Sequence, residues 1–135
     1  MNERTELPQL RQTVVRNWIR QVAAQHGKTT GDITFLFCDD EKILEVNNQY
    51  LQHDYFTDII TFDYSSGNLI SGDLVISTDT VTTNAIQFAT EYEHELHRVI
   101  IHGVLHLCGY GDSTPEEKEK MTELENQALH LLTSL

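Results

Sequence analysis

A chain of 135 residues with two cysteines and a formal net charge of −12 has room for one domain with its own apolar core, expected over residues 1–135. Cys38 and Cys108 lie far apart with no second pair, which excludes a disulfide framework or CxxC site and points to a reducing, cytoplasmic setting. No stretch approaches the roughly 20 apolar residues that cross a bilayer, and the acidic balance argues against a sequence-indifferent coat on nucleic acid.

The charge is uneven. Arg4, Arg11, Arg16, Arg20 and Lys28 face only Glu3 and Glu6 in the first 31 residues, so that segment is net +3 and the remainder −15. From Leu10 the apolar positions Val14, Val15, Trp18, Ile19 and Val22 keep helical spacing, and the helix is expected to stop near Gly27. Ile33 to Cys38 is short, β-branched and aromatic, a buried strand. Asp39 or Asp40 can cap a following helix that runs through Tyr50. Residues 59–64 and 69–77, joined by Ser65-Ser66-Gly67-Asn68, predict two neighbouring antiparallel strands. Helices follow at about 79–90 and 92–108. Thr114-Pro115-Glu116-Glu117 then opens a last helix, with a capping threonine, proline at its first turn and glutamate three residues after the cap. The order α-β-α-β-β-α-α-α predicts an α+β fold, a small mixed sheet of three to four strands with about five helices.

His102 and His106 are four apart in the apolar run Val99 to Cys108, so their side chains share one helical face about 5 to 6 Å apart. A largely buried helix cannot leave two imidazoles unpaired. Gly103 between them costs about 1 kcal/mol relative to Ala in a helix and suggests a close approach by another backbone. Gly109 supplies a left-handed stop, and the turn after it can bring the Asp112 carboxylate back as a third ligand. Two histidines and a carboxylate with a position left for water form a catalytic set rather than a structural one. The competing interpretation is two satisfied core histidines and a helix-capping acid. Position 103 is glycine where an HExxH protease carries its glutamate, so an ordinary metalloprotease is not supported.

The run His102-Gly-Val-Leu-His106-Leu-Cys-Gly-Tyr-Gly-Asp112 resembles the motif H-G-x-L-H-L-x-G-Y-D-H of the YbeY family, bacterial endoribonucleases implicated in ribosomal RNA maturation. Asn47, Tyr50, Asp54, Thr57, Asp58 and Phe62 resemble its N-x-x-Y-R-x-x-D-x-P-T-D-V-L-S-F region, Gly72 to Ile76 its G-D-I-V-I strand, and Glu117 to Leu132, with Met121 and Glu123 or Glu125, its closing helix. The resemblance covers about residues 40–132. It implies a metal site between the last two helices on His102, His106 and Asp112, and hydrolysis of single-stranded RNA in precursor ribosomal RNA, including the 3′ end of 16S rRNA. Implied partners are RNA and, beside it, ribosomal proteins or an assembly GTPase.

Two positions depart from the pattern. Asp112 and Gly111 replace the usual His and Asp, and Leu51 stands where an arginine of the RNA cleft is usual. Zn2+ is the implied ion, one per chain, and a carboxylate in place of an imidazole also admits Mn2+. Arg98, four before His102 and eight before His106, lies along the same helical face and is positioned to balance charge on a phosphorane. Its alternative is an ion pair with Glu95 or Glu91. The helix carrying Arg11, Arg16 and Arg20 can meet substrate, or be a solvated amphipathic face. By resemblance Thr57, Asp58 and Asp73 lie near the cleft; strand capping is their simpler role. The alternative functions are a non-catalytic ribosome assembly factor with a structural metal and a hydrolase of some other ester or amide.

Overall fold

The computed structural model describes residues 12–51 and 58–135. Leu10, Arg4, Arg11, His53, Asp54, Phe56 and Thr57 fall outside the described residues, as do the side chains of Tyr50 and Leu51. Eight elements follow in the anticipated order: α1 (Gln12–Gln25), β1 (Thr29–Cys38), α2 (Asp40–Leu51), β2 (Ile59–Asp63), β3 (Leu69–Ser77), α3 (Thr78–Gln87), α4 (Tyr92–Leu107) and α5 (Pro115–Leu132).

The three strands form one mixed sheet in the order β1-β3-β2. β3 runs parallel to β1, with Phe35 opposite Leu74, and antiparallel to β2, with Ile60 opposite Val75. A central strand is covered on both faces and therefore reads as a near-continuous apolar run, which Leu74-Val75-Ile76 supplies. Alternation along it builds two cores. Ile70, Leu74 and Ile76 meet Trp18 and Val22 of α1 and Ile100 and Val104 of α4, while Val75 joins Ile43 of α2 and Ile60 of β2 on the other face.

β1 starts at Thr29, earlier than the apolar run at Ile33, because Thr29 and Thr30 pair with Leu69 and Ile70 before a register irregularity. Cross-strand hydrogen bonds hold those polar residues extended, a cause that side-chain pattern does not record. α3 stops at Gln87, where Ala89 turns to a φ of 53°. The Asp39 carboxylate caps α2 by accepting from the Lys42 amide at 2.8 Å. Asp40 accepts from the hydroxyls of Ser77 and Thr80, tying the start of α2 to that of α3.

Both cysteines are buried and free, and burial pushes each thiol up to about 11. They act as small apolar fillers. His97 packs edge-on against Trp18 with ring centroids 5.7 Å apart, and the Trp18 indole N–H donates to the Ala128 carbonyl at 2.7 Å, joining α1 to α5. No helix among the described residues is long and apolar enough to cross a membrane.

Gly72 is where β3 can least accept a side chain. A Cβ there would lie 2.3 Å from the Phe62 carbonyl oxygen and 3.0 Å from Leu107. Backbone cannot swing aside as a side-chain tip can, so Gly72→Ala should lose about 3 kcal/mol, the upper end of overpacking costs. Thermal unfolding checks this, with a drop in Tm of roughly 10 °C expected for a chain of this size.

Candidate metal centre

α4 presents its sheet-facing side through Gly103. A Cβ at 103 would meet Ile59 Cδ1 at 2.7 Å and the Leu74 methyls at 3.1 and 3.2 Å. The glycine therefore seats α4 on sheet side chains, not on the backbone that the sequence suggested. With Val99, Ile100, Ile101, Val104 and Leu105 buried, His102 and His106 turn toward α5 and the segment joining the two helices. Their rings meet edge to face at 4.5 Å.

The helix end builds part of the site. Gly109 takes a φ of +107°, the Gly109 amide donates to the His106 carbonyl at 2.9 Å and the Tyr110 amide to that of Leu105 at 3.1 Å. This is a Schellman stop. It folds the Tyr110 carbonyl back over the last turn, where it accepts from His106 Nδ1 at 2.8 Å. A carbonyl only accepts, so Nδ1 carries the proton and the neutral ring offers a lone pair at Nε2. His102 is fixed in the same way: its Nδ1 lies 2.6 Å from Glu125 Oε2 and donates to that carboxylate. Both imidazoles thus aim lone pairs inward, with the two Nε2 atoms 3.0 Å apart.

Asp112 completes the group. Its Oδ2 is 3.3 Å from His102 Nε2 and 3.5 Å from His106 Nε2. Ligand bonds of about 2.0 to 2.2 Å on a tetrahedral ion place donor atoms roughly 3.3 to 3.5 Å apart, close to the spacing of this triangle. Two facing lone pairs beside a carboxylate need a shared cation, or a proton, between them. Among the described residues these three side chains form a set that could hold a metal ion, and the donors fit one. Asp112 is 43 % exposed and the histidines about a quarter, so the group opens to solvent, as a catalytic set must and a closed structural zinc does not.

The segment bearing Asp112 is fastened from α5. The Thr114 hydroxyl accepts from the Glu117 amide, and Glu117 Oε1 accepts from the Ser113 and Thr114 amides at 3.0 and 3.1 Å. The chain passes so close that a Cβ at Gly111 would sit 2.9 Å from Glu117 Oε2. That atom is a side-chain tip, which can shift more readily than backbone.

Glu125, which the resemblance offered beside Glu123 without a role, is the acid that α5 brings to the histidines. It is 7 % exposed and bridges His102 to Arg98, whose Nη1 donates to Oε1 at 2.9 Å; Arg98 Nη2 donates to Asn126 at 2.7 Å. Arg98 is ion-paired across helices to Glu125 of α5, in place of the Glu91 or Glu95 that the sequence offered. A signal was present in the sequence: Met121, Leu124, Ala128 and Leu129 define the buried face of α5, and Glu125 falls on it. An acid on an apolar face requires a partner.

The electrostatics favour a cation. Burial lowers the proton affinity of His102, but the Glu125 hydrogen bond and the charges of Glu125, Asp58 and Asp112 outweigh it and raise the value above that of a free imidazole. Asp58, at the approach to β2, is raised chiefly by burial, with His102 opposing, so it shares the field of this centre. Burial likewise raises Glu95. Arg16, Arg20 and Lys28 lie elsewhere. With Ile33 and Phe35 they line a groove of about 910 Å³ between α1 and β1 that includes neither histidine nor Asp112.

The family model described as endoribonuclease YbeY matches residues 1–133. A protein named endoribonuclease YbeY from Parabacteroides distasonis is 62 % identical over 130 residues, 96 % of this chain and 92 % of its own. One of the same name from Bacteroides thetaiotaomicron is 59 % identical over 127 residues, 94 % and 93 % of the two chains. A solution structure of a Thermotoga maritima protein superposes with a TM-score of 0.64 at 22 % identity, covering 93 % of this chain and 85 % of that one; it shares the fold.

Proposed function

Because the chain belongs to the endoribonuclease YbeY family, we propose that residues 1–135 act as one metal-dependent endoribonuclease domain that hydrolyses single-stranded RNA phosphodiesters in ribosomal RNA maturation, including the 16S 3′ end. The observation that carries this is the convergence of His102 Nε2, His106 Nε2 and Asp112 Oδ2, with both Nδ1 protons already committed. His102, His106 and Asp112 hold one divalent ion, zinc first and manganese second, since the carboxylate adds a hard oxygen to two imidazoles. Bound there, such an ion supplies a Lewis acid for a phosphoryl oxygen and lowers the pKa of water.

The protein's own share is orientation and charge. Glu125 and the Tyr110 carbonyl keep each imidazole in one tautomer, which raises its basicity as a ligand. Arg98, one carboxylate removed from His102 and 29 % exposed, contributes positive charge for the anionic phosphorus centre and is held in place by Glu125 and Asn126. The apolar floor of α4 limits water behind the histidines. A cytoplasmic setting and contacts with ribosomal proteins or an assembly GTPase fit this role.

The test is elemental analysis of protein purified without added metal, followed by cleavage of single-stranded and duplex RNA with and without chelator. One ion per chain and chelator-sensitive cutting confined to single strands are expected. Metal-loaded protein that leaves both RNAs intact defeats the proposal.

A further inference from the structure

Tyr110 sits between two glycines, Gly109 and Gly111, and glycine gives a chain more rotational freedom than any other residue. The peptide that must aim its carbonyl at His106 is therefore poorly restrained by its neighbours. Its restraint comes from elsewhere. The Tyr110 hydroxyl lies 2.8 Å from His26 Nδ1, with the rings edge to face at 5.1 Å and 74°. His26 follows α1, where its amide donates to the Ala23 carbonyl, and α1 is bolted to α5 through Trp18 and Ala128. Tyr110 is thus fastened at three points: its amide to Leu105, its carbonyl to His106 and its hydroxyl to His26.

We propose that His26 is a positioning residue for the metal centre, acting through Tyr110 to hold the carbonyl that sets the His106 tautomer and the segment that presents Asp112. It touches neither ion nor substrate. Its contact fixes one end of that segment, and Glu117 fixes the other. Without it, rotation about the flanking glycines lets the carbonyl leave Nδ1, the proton is free to move to Nε2, and a lone pair is lost from the triangle. Burial, with Lys120 adding to it, lowers the His26 pKa, which keeps the ring neutral as a partner for a hydroxyl.

The inference rests on the metal centre proposed above, and zinc affinity measured by competition with a chromophoric chelator separates the two. His26→Phe keeps the ring packing and removes the hydrogen bond, Tyr110→Phe removes it from the other side, and His26→Asn places an amide where Nδ1 stood. Each Phe variant should bind zinc roughly three- to ten-fold more weakly, at or below the low end of outer-shell losses. The double variant should be no weaker than either single, because one bond is lost in all three. His26→Asn should recover the affinity. In the metal-free protein, nitrogen chemical shifts should report His106 as the Nδ1–H tautomer in the wild type and a mixture in the Phe variants. Should His26→Phe unfold the chain, Tyr110→Phe, which retains the half-buried ring, carries the same readouts. Unchanged affinity in Tyr110→Phe, or losses that multiply in the double variant, overturns the positioning role. A wild type that takes up no zinc instead overturns the metal centre.

Discussion

Asp112→Ala is expected to abolish stoichiometric metal and RNA cleavage together while leaving the fold intact. Asp112 is part-exposed and contacts the centre only through Oδ2, at 3.3 and 3.5 Å from the two Nε2 atoms. Truncation therefore opens no cavity, and the stability of the metal-free chain should stay within about 0.5 kcal/mol of wild type, as for other surface changes. What disappears is the anionic member of the three donors. Two imidazoles four apart remain, a bidentate clip on an open face, short of the three protein ligands that a catalytic zinc takes. His106→Ala should give the same loss of metal and activity. Asp112→His tests the donor logic directly: a third imidazole should keep one ion per chain and shift preference toward zinc over manganese, since nitrogen is the softer donor. Metal content by mass spectrometry and cleavage of a single-stranded RNA decide the matter. Cutting that survives both alanine variants would end the assignment of this site.

The second large effect belongs to Glu125. One carboxylate binds His102 at 2.6 Å and Arg98 at 2.9 Å while 7 % exposed. Glu125→Gln preserves shape and one acceptor but removes the negative charge that supports His102, so metal affinity should fall about ten-fold. Glu125→Ala removes both bonds, and affinity should fall about 100-fold, the upper end of outer-shell effects. The alanine variant also strands the Arg98 guanidinium. Loss of its charged hydrogen bond should cost about 2 kcal/mol, visible as a lower urea midpoint with unchanged slope. Because the Glu125 charge raises the proton affinity of His102, the raised value should relax toward that of an ordinary imidazole in the metal-free Gln variant. In the metal-free wild type, a histidine raised on folding adds stability below its unfolded pKa and loses it as pH climbs through the folded value. That pH-dependent increment should shrink in Glu125→Gln. Equal metal affinity in wild type and Glu125→Ala would show that Glu125 serves packing alone.

Much of this protein is written in local signals. The threonine, proline and glutamate at 114, 115 and 117 define the start of α5 because capping is a contact among residues three apart. The stop at Gly109 is equally local, and the His102 and His106 pair follows from helical periodicity alone. The apolar segments at 59–64 and 69–77, on either side of the turn Ser65-Ser66-Gly67-Asn68, marked two neighbouring strands, found at Ile59–Asp63 and Leu69–Ser77.

The rest needed the third dimension. Nothing near Thr29 or Thr30 in the chain announces a strand; their extended form comes from Leu69 and Ile70 across the sheet. The reason for Gly103 is likewise distant, in Ile59 and Leu74. The sequence offered Glu95 or Glu91 as a partner for Arg98, and burial against α5 selected Glu125, 27 residues on. Sequence by itself determined the helical spacing of His102 and His106 and the family. Tertiary structure decided the tautomers, because a ring nitrogen keeps its proton only where an acceptor is held against it. Those acceptors are a carboxylate on another helix and a carbonyl steadied by His26, 84 residues away.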